Sequence, residues 1–140
     1  MKNWVVFALI SMFFAGLTSV IAKLGLKNVS SDTGLAVRTI TVFVLVWANA
    51  LAFQPLKDFR NLSGADIAFL TISGVTTSLS WIFYYKAIKI GNVSQVALID
   101  KGSIIITIVL SLLILNEAFT WKTAIGGSMI IGGLLVLTLK

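Results

Sequence analysis

The chain has 140 residues, 58% of them hydrophobic and 11% charged, with a mean hydropathy of +1.02. Soluble domains run near about 45–50% apolar and about 25% charged; a core this small cannot shelter so much apolar surface, so the composition excludes a water-soluble globule and predicts an all-α, polytopic bundle in lipid. Eleven Lys and Arg against five Asp and Glu give a net charge of +6, which suits membrane-flanking cations; with no basic run interleaved with aromatics, nucleic acid is set aside as a partner.

The apolar run after Met1, Lys2 and Asn3 is too long for a signal h-region of about 7–15 residues, and no small-x-small cleavage site follows it. It predicts a first spanning helix over about 4–27, since about 20 residues at 1.5 Å each cover the roughly 30 Å hydrocarbon core. Ser11, Ala15, Thr18 and Ala22 share a face where small residues permit close helix approach, with Ser19 and Lys23 beside it. After a turn at 28–32, which Ser31 or Asp32 can cap, a second helix is expected over 33–53. Arg38, Thr41 and Asn49 lie on one of its faces, and Arg38 either turns inward or snorkels to the membrane surface. Pro55, Lys57, Asp58, Phe59, Arg60 and Asn61 form the next loop.

Ser63-Gly64-Ala65-Asp66 has the pattern of a capping box, with Asp in place of Glu, and opens a third helix over 64–87. Ser73, Thr77, Ser80 and Tyr84 recur at spacings of four, three and four and draw a polar stripe along it. Trp81, Phe83, Tyr84 and Tyr85, followed by Lys86, read as an interfacial aromatic belt, with Tyr84 also a candidate for lining a cavity. The fourth helix, over 92–116, opens with Asn92 and Gln95 and carries Asp100 and Lys101 inside an otherwise apolar segment. Asp100, Ser103, Thr107 and Ser111 fall on one face. An unpaired charge at mid-bilayer costs about 2.5–3.5 kcal/mol on insertion scales, so Asp100 is expected to face the bundle interior beside a cation. That pairing either locks helices together or forms a substrate or proton site. Thr120 can cap a fifth helix over 120–140, where Gly126 and Gly133 share one face and Ser128 and Gly132 mark another. Glycine weakens a helix, so this concentration predicts tight packing, within the chain or between subunits.

Five spans put the termini on opposite sides of the membrane. Lys2, Lys57, Arg60 and Lys122 then flank one surface and Lys27, Lys86, Lys89 and Lys140 the other, so the positive-inside rule gives no vote. Such a tie is compatible with insertion in both orientations and an antiparallel homodimer, an arrangement that many transporters build into one chain. Lys23, Arg38, Asp100 and Lys101 all lie toward one surface, with Lys86 at that level, so cations outnumber the single acid. An anionic metabolite is the substrate class this favours, and lipid headgroups could answer the same charges.

The segment Val96-Ala97-Leu98-Ile99-Asp100-Lys101, the Asn116-Glu117 end of the fourth helix, Ala118-Phe119-Thr120, Ile125-Gly126 and the paired Gly132-Gly133 resemble an EamA-like domain of the drug/metabolite transporter superfamily. The resemblance covers essentially the whole chain. It implies one five-helix repeat, and since many members carry two in tandem with inverted topology, a lone copy implies dimerisation. Relatives often have a proline in the fourth helix where this chain has Leu98. Four-helix, proton-coupled relatives use an acid in the first helix, and no acid occurs there; Asp100 is the one internal candidate.

The sequence thus predicts a secondary transporter, an exporter of a small and anionic metabolite, working as a dimer by alternating access in the cell membrane. Its pathway residues are Asp100, Lys101, Ser103, Thr107, Lys23, Arg38, Ser73, Thr77, Ser80 and Tyr84, and its dimer contact Gly126, Gly133, Ser128 and Gly132. The alternative is a non-transporting membrane subunit, or half of a heteromeric transporter. No cofactor or metal is expected, because Cys and His are absent and no Gly-rich phosphate loop occurs. An enzyme is the remotest reading, because no nucleophile-base pair or paired carboxylates are visible.

Overall fold

A computed structural model describes residues 3–53 and 59–138, and among them all regular structure is helical. Lys2, Pro55, Lys57, Asp58 and Lys140, on which parts of the loop and charge-balance reading fall, lie outside the described residues. The helices are α1 (Asn3–Gly25), α2 (Ser31–Phe53), α3 (Gly64–Ile90), α4 (Val93–Asp100), α5 (Ser103–Ile114) and α6 (Trp121–Thr138). Four stretches are long and apolar enough to cross a bilayer, namely α1, α2, α3 and the pair α4–α5 spanning Val93–Ile114. The fifth, Trp121–Leu137, is shorter, yet at 1.5 Å per residue it still reaches about 25 Å. The expected all-α bundle of five spans agrees with this architecture, and the chain is an integral, multi-pass membrane protein.

The chain divides into two compact units, Met1–Ile90 and Gly91–Lys140. In the first unit α2 packs along α3, while α1 meets α3 toward their ends. Its core is small: Leu26, Tyr85 and Ile88 are the buried apolar side chains among the described residues. Large side chains such as Phe7, Phe13, Ile40, Phe43, Phe69 and Phe83 lie more than half exposed along the spans. In water such surface would be unfavourable at about 25 cal/mol per Å², so acyl chains or another subunit must cover it.

The ends of these helices follow from local chemistry. Ser63 and Asp66 close the expected capping box: the Asp66 N–H donates to Ser63 Oγ at 3.2 Å, and the Ser63 N–H and hydroxyl donate to Asp66 Oδ2 at 3.0 and 2.7 Å. The cap of α2 differs from expectation. It is Ser30, whose Oγ accepts the Thr33 N–H at 3.1 Å, and not Ser31 or Asp32, because the side chain that reaches the third helical N–H must stand just outside the first turn. The turn from α1 to α2 is tight: a Cβ added to Gly34 would fall inside van der Waals contact with Leu26 Cδ2, so the buried leucine occupies the space a side chain would need.

In the second unit the predicted single helix over 92–116 is interrupted. Lys101, Gly102, Ile104 and Ile105 donate backbone hydrogen bonds to residues three before them, at 2.9–3.1 Å, and both Lys101 and Gly102 keep right-handed helical angles. The chain is overwound for one turn rather than broken, and no proline stands in this turn. In a turn of this type positions i and i+3 eclipse, which draws Asp100 and Ser103 together along the expected stripe. Gly102 permits the tightening: a Cβ there would lie 2.9 Å from the Ile99 carbonyl oxygen and 3.1 Å from Leu134 Cδ1. At the far end Asn116 adopts a left-handed φ of 52°, tolerated by asparagine, and the Glu117 N–H turns back to the Ser111 carbonyl at 3.2 Å. Thr120 caps α6 as expected, accepting the Thr123 N–H at 3.2 Å.

Candidate functional site

In the first unit Lys23, Lys86 and Lys89 lie together at one end of α1 and α3. Late in α1, Lys23 Nζ donates to the carbonyls of Ile88 and Lys89 at 2.6 and 3.1 Å. Late in α3, Lys89 Nζ donates to the carbonyls of Leu26 and Lys27, the latter at 3.2 Å. The last carbonyls of a helix have no intrahelical partner and carry the negative end of its dipole, so a cation from a neighbouring helix is a fitting cap. Here each helix supplies the cap of the other. This reciprocal clamp fixes the ends of α1 and α3 at one level, and it occupies Lys23, a residue predicted for the pathway, with backbone.

Arg38, one turn deeper on α2, is placed differently. Its guanidinium carbon sits 4.1 Å from the centroid of the Trp81 ring and 5.8 Å from that of Tyr85. Trp81 and Tyr85 stand four residues apart on α3 and so share a face. The side chain is therefore held against α3 by cation–π contact. No carboxylate pairs with it among the described residues: the ion pair recorded there joins Lys101 and Asp100. Nη1 of Arg38 is buried without any hydrogen-bond acceptor. Arg38 and Tyr85 also line a groove of about 470 Å³ with Thr18, Ile21, Leu26 and Val37. By sequence the aromatics that hold Arg38 read as an interfacial belt; their spacing of four, matched to a lone arginine, is the signal that points to the pair.

The polar stripe of α3 is split. Tyr84 meets α1, its hydroxyl 2.7 Å from Ser19 Oγ, while Thr77 donates to its own helix at the Ser73 carbonyl at 2.8 Å. Ser73, Thr77 and Ser80 are exposed within the unit. A hydroxyl satisfied by its own helix, as that of Thr77 is, sits in an apolar environment at little cost and suits either lipid or a neighbour.

In the second unit Asp100 is half-buried and lies 3.9 Å from Lys101 Nζ. Neighbours in sequence do not face one another on a helix, and an exposed pair of this kind contributes about 0–1 kcal/mol. Ser103 and Thr107 are exposed, and Thr107 donates to the Ser103 carbonyl at 3.1 Å. The glycines of α6 divide by face. Gly127 packs on α5, where an added Cβ would stand 3.3 Å from Ile108 Cδ1, whereas Gly126, Gly132 and Gly133 face open space. Ser128 donates to the Ala124 carbonyl at 2.8 Å and borders a groove with Ile105, Val109 and Phe119. Among the described residues no cluster of three or more His, Cys, Asp or Glu could hold a metal ion.

A protein of Sinorhizobium sp. named "Uncharacterized transporter in cobO 3'region" is 32% identical over 136 residues, which is 97% of this chain and 96% of that one. No solved structure matches the chain. The model of the EamA-like transporter family matches residues 2–139. With the spans, the overwound fourth helix and the glycine-faced fifth in place, the chain belongs to the EamA-like transporter family and is a membrane transporter.

Proposed function

We propose that this chain is a secondary transporter of a small anionic metabolite, acting as a dimer by alternating access. The observation that carries the anionic reading is Arg38: a guanidinium embedded in a spanning helix, clasped by Trp81 and Tyr85, with no carboxylate partner among the described residues. A charge kept at that depth without a counter-ion is costly, and a function is the usual reason for keeping it. Lys23, Lys86 and Lys89 lie at the same end of α1 and α3 and raise the potential there.

Dimerisation is supported by what one copy leaves uncovered. The α3 stripe of Ser73, Thr77 and Ser80, the Asp100, Ser103 and Thr107 side of the fourth span, and Gly126, Gly132 and Gly133 of α6 find no partner element within their own units. A second copy would close the two polar stripes into a pathway and let the glycine face approach another helix closely. Asp100 would sit on that pathway.

The test is exchange in liposomes holding this protein alone. Labelled small anions, carboxylates or phosphates, should enter by saturable counterflow, and Arg38→Gln should abolish it. Exchange of organic cations only, or no exchange of any anion by protein that crosslinks as a dimer, refutes the reading. Activity that appears only with a copurifying homologous subunit would instead make the chain half of a heteromeric transporter.

A further inference from the structure

The groove beside Arg38 has a chemical character of its own. Its walls are Ile21, Ala22, Leu26, Val29 and Val37, and its polar members are few. The Thr18 hydroxyl donates to the Phe14 carbonyl at 2.8 Å, and Thr33 is engaged with Ser30 at 2.9 Å. The nearby Lys23 and Lys89 ammonium groups are turned onto helix-end carbonyls. One cation is left to face an apolar trough of about 470 Å³, within the range of small-molecule sites of about 300–1,000 Å³.

Resting on the reading of an anion transporter, we infer that this groove binds a small amphiphilic monocarboxylic acid, its carboxylate on the Arg38 guanidinium and its apolar body along Ile21, Leu26 and Val37. The planar guanidinium presents a fork that matches a carboxylate, while the Trp81 ring covers one of its faces and holds its plane. The carboxylate meets the part of the guanidinium that borders the groove and gives Arg38 the counter-ion it lacks among the described residues. A dianionic phosphate would bring a second charge into a trough whose lining holds no second cation, at a desolvation cost the walls cannot repay. A short apolar tail gains from the same walls. The class is thus set by one charge and a greasy body.

Trp81 reports on the site through the guanidinium that lies on its ring. The sequence has four tryptophans, so Trp4→Phe, Trp47→Phe and Trp121→Phe leave Trp81 alone beside the guanidinium. In phosphatidylcholine nanodiscs, its fluorescence should respond saturably to acetate, butanoate and hexanoate, with affinity rising about fourfold for each added methylene. Hexylamine should give no response, and hexyl phosphate a weaker one than hexanoate. Arg38→Gln should weaken hexanoate binding at least about tenfold, and Arg38→Lys, which keeps the charge without the fork, should fall between. An unchanged response in Arg38→Gln, no gain with chain length, or a response to phosphatidylglycerol with none to free carboxylates would overturn the assignment, the last by making the groove a lipid headgroup site. Binding at Trp81 without liposome exchange would sink the transport cycle and leave the site standing; exchange of anions without a Trp81 response would sink the site alone.

Discussion

Lys23 and Lys89 offer a perturbation whose size follows from the structure. Lys23→Met removes two donors from the last carbonyls of α3, and Lys89→Met removes two from the end of α1. Hydrogen bonds between membrane helices average only about 0.6 kcal/mol, whereas those from a charged donor contribute about 1.5–3 kcal/mol, and a buried carbonyl left without a partner costs about 1–3 kcal/mol. Ile88 is 0% exposed and Leu26 1%, so their carbonyls cannot turn to water and the larger figures apply. Each single variant should lose about 2 kcal/mol. The double variant should lose about 3 kcal/mol, less than the sum, because both lysines clamp the same junction and the second has less to hold once the first is gone. Unfolding by sodium dodecyl sulfate in mixed micelles, followed by far-ultraviolet circular dichroism, measures all three. Single variants within about 0.5 kcal/mol of the parent would refute the clamp.

Two further predictions concern the same unit. Gly34→Ala should be destabilising by about 1–3 kcal/mol despite the better helix propensity of alanine, because its Cβ overlaps Leu26 Cδ2 and the buried leucine must leave its position; Gly74→Ala, with open space around it, should be neutral or stabilising, and the same detergent titration separates them, with equal midpoints counting against the close contact. Ser30→Ala should cost about 1 kcal/mol through loss of the α2 cap, and Ser31→Ala under about 0.5 kcal/mol; the reverse order in thermal melts would return the cap to Ser31.

Much of the architecture was legible in the residues. Apolar runs of spanning length, separated by Ser63–Asp66 and Thr120 caps, mark helices because each signal is local: a hydroxyl or carboxylate reaches an N–H three residues away, and no distant contact is needed. The overwound turn at Lys101–Gly102 was not legible as such. Gly102 is permissive and compels nothing, and the approach of Leu134 that uses its missing Cβ is a tertiary fact. The glycines of α6 likewise announced close packing without saying that Gly127 alone would serve α5 while Gly126, Gly132 and Gly133 stay open.

The candidate site shows the same division. By itself the sequence determined that the chain lives in lipid and that Arg38, Lys23 and Asp100 are charges at membrane depth, since hydropathy and spacing are properties of a segment alone. Only the tertiary structure decided what each charge does. Lys23 is spent on the carbonyls of Ile88 and Lys89, while Arg38 lies across Trp81 and Tyr85 with an unanswered donor. The energy of a buried charge depends on the few groups within about 4–6 Å of it, and those groups arrive from other helices, far away along the chain.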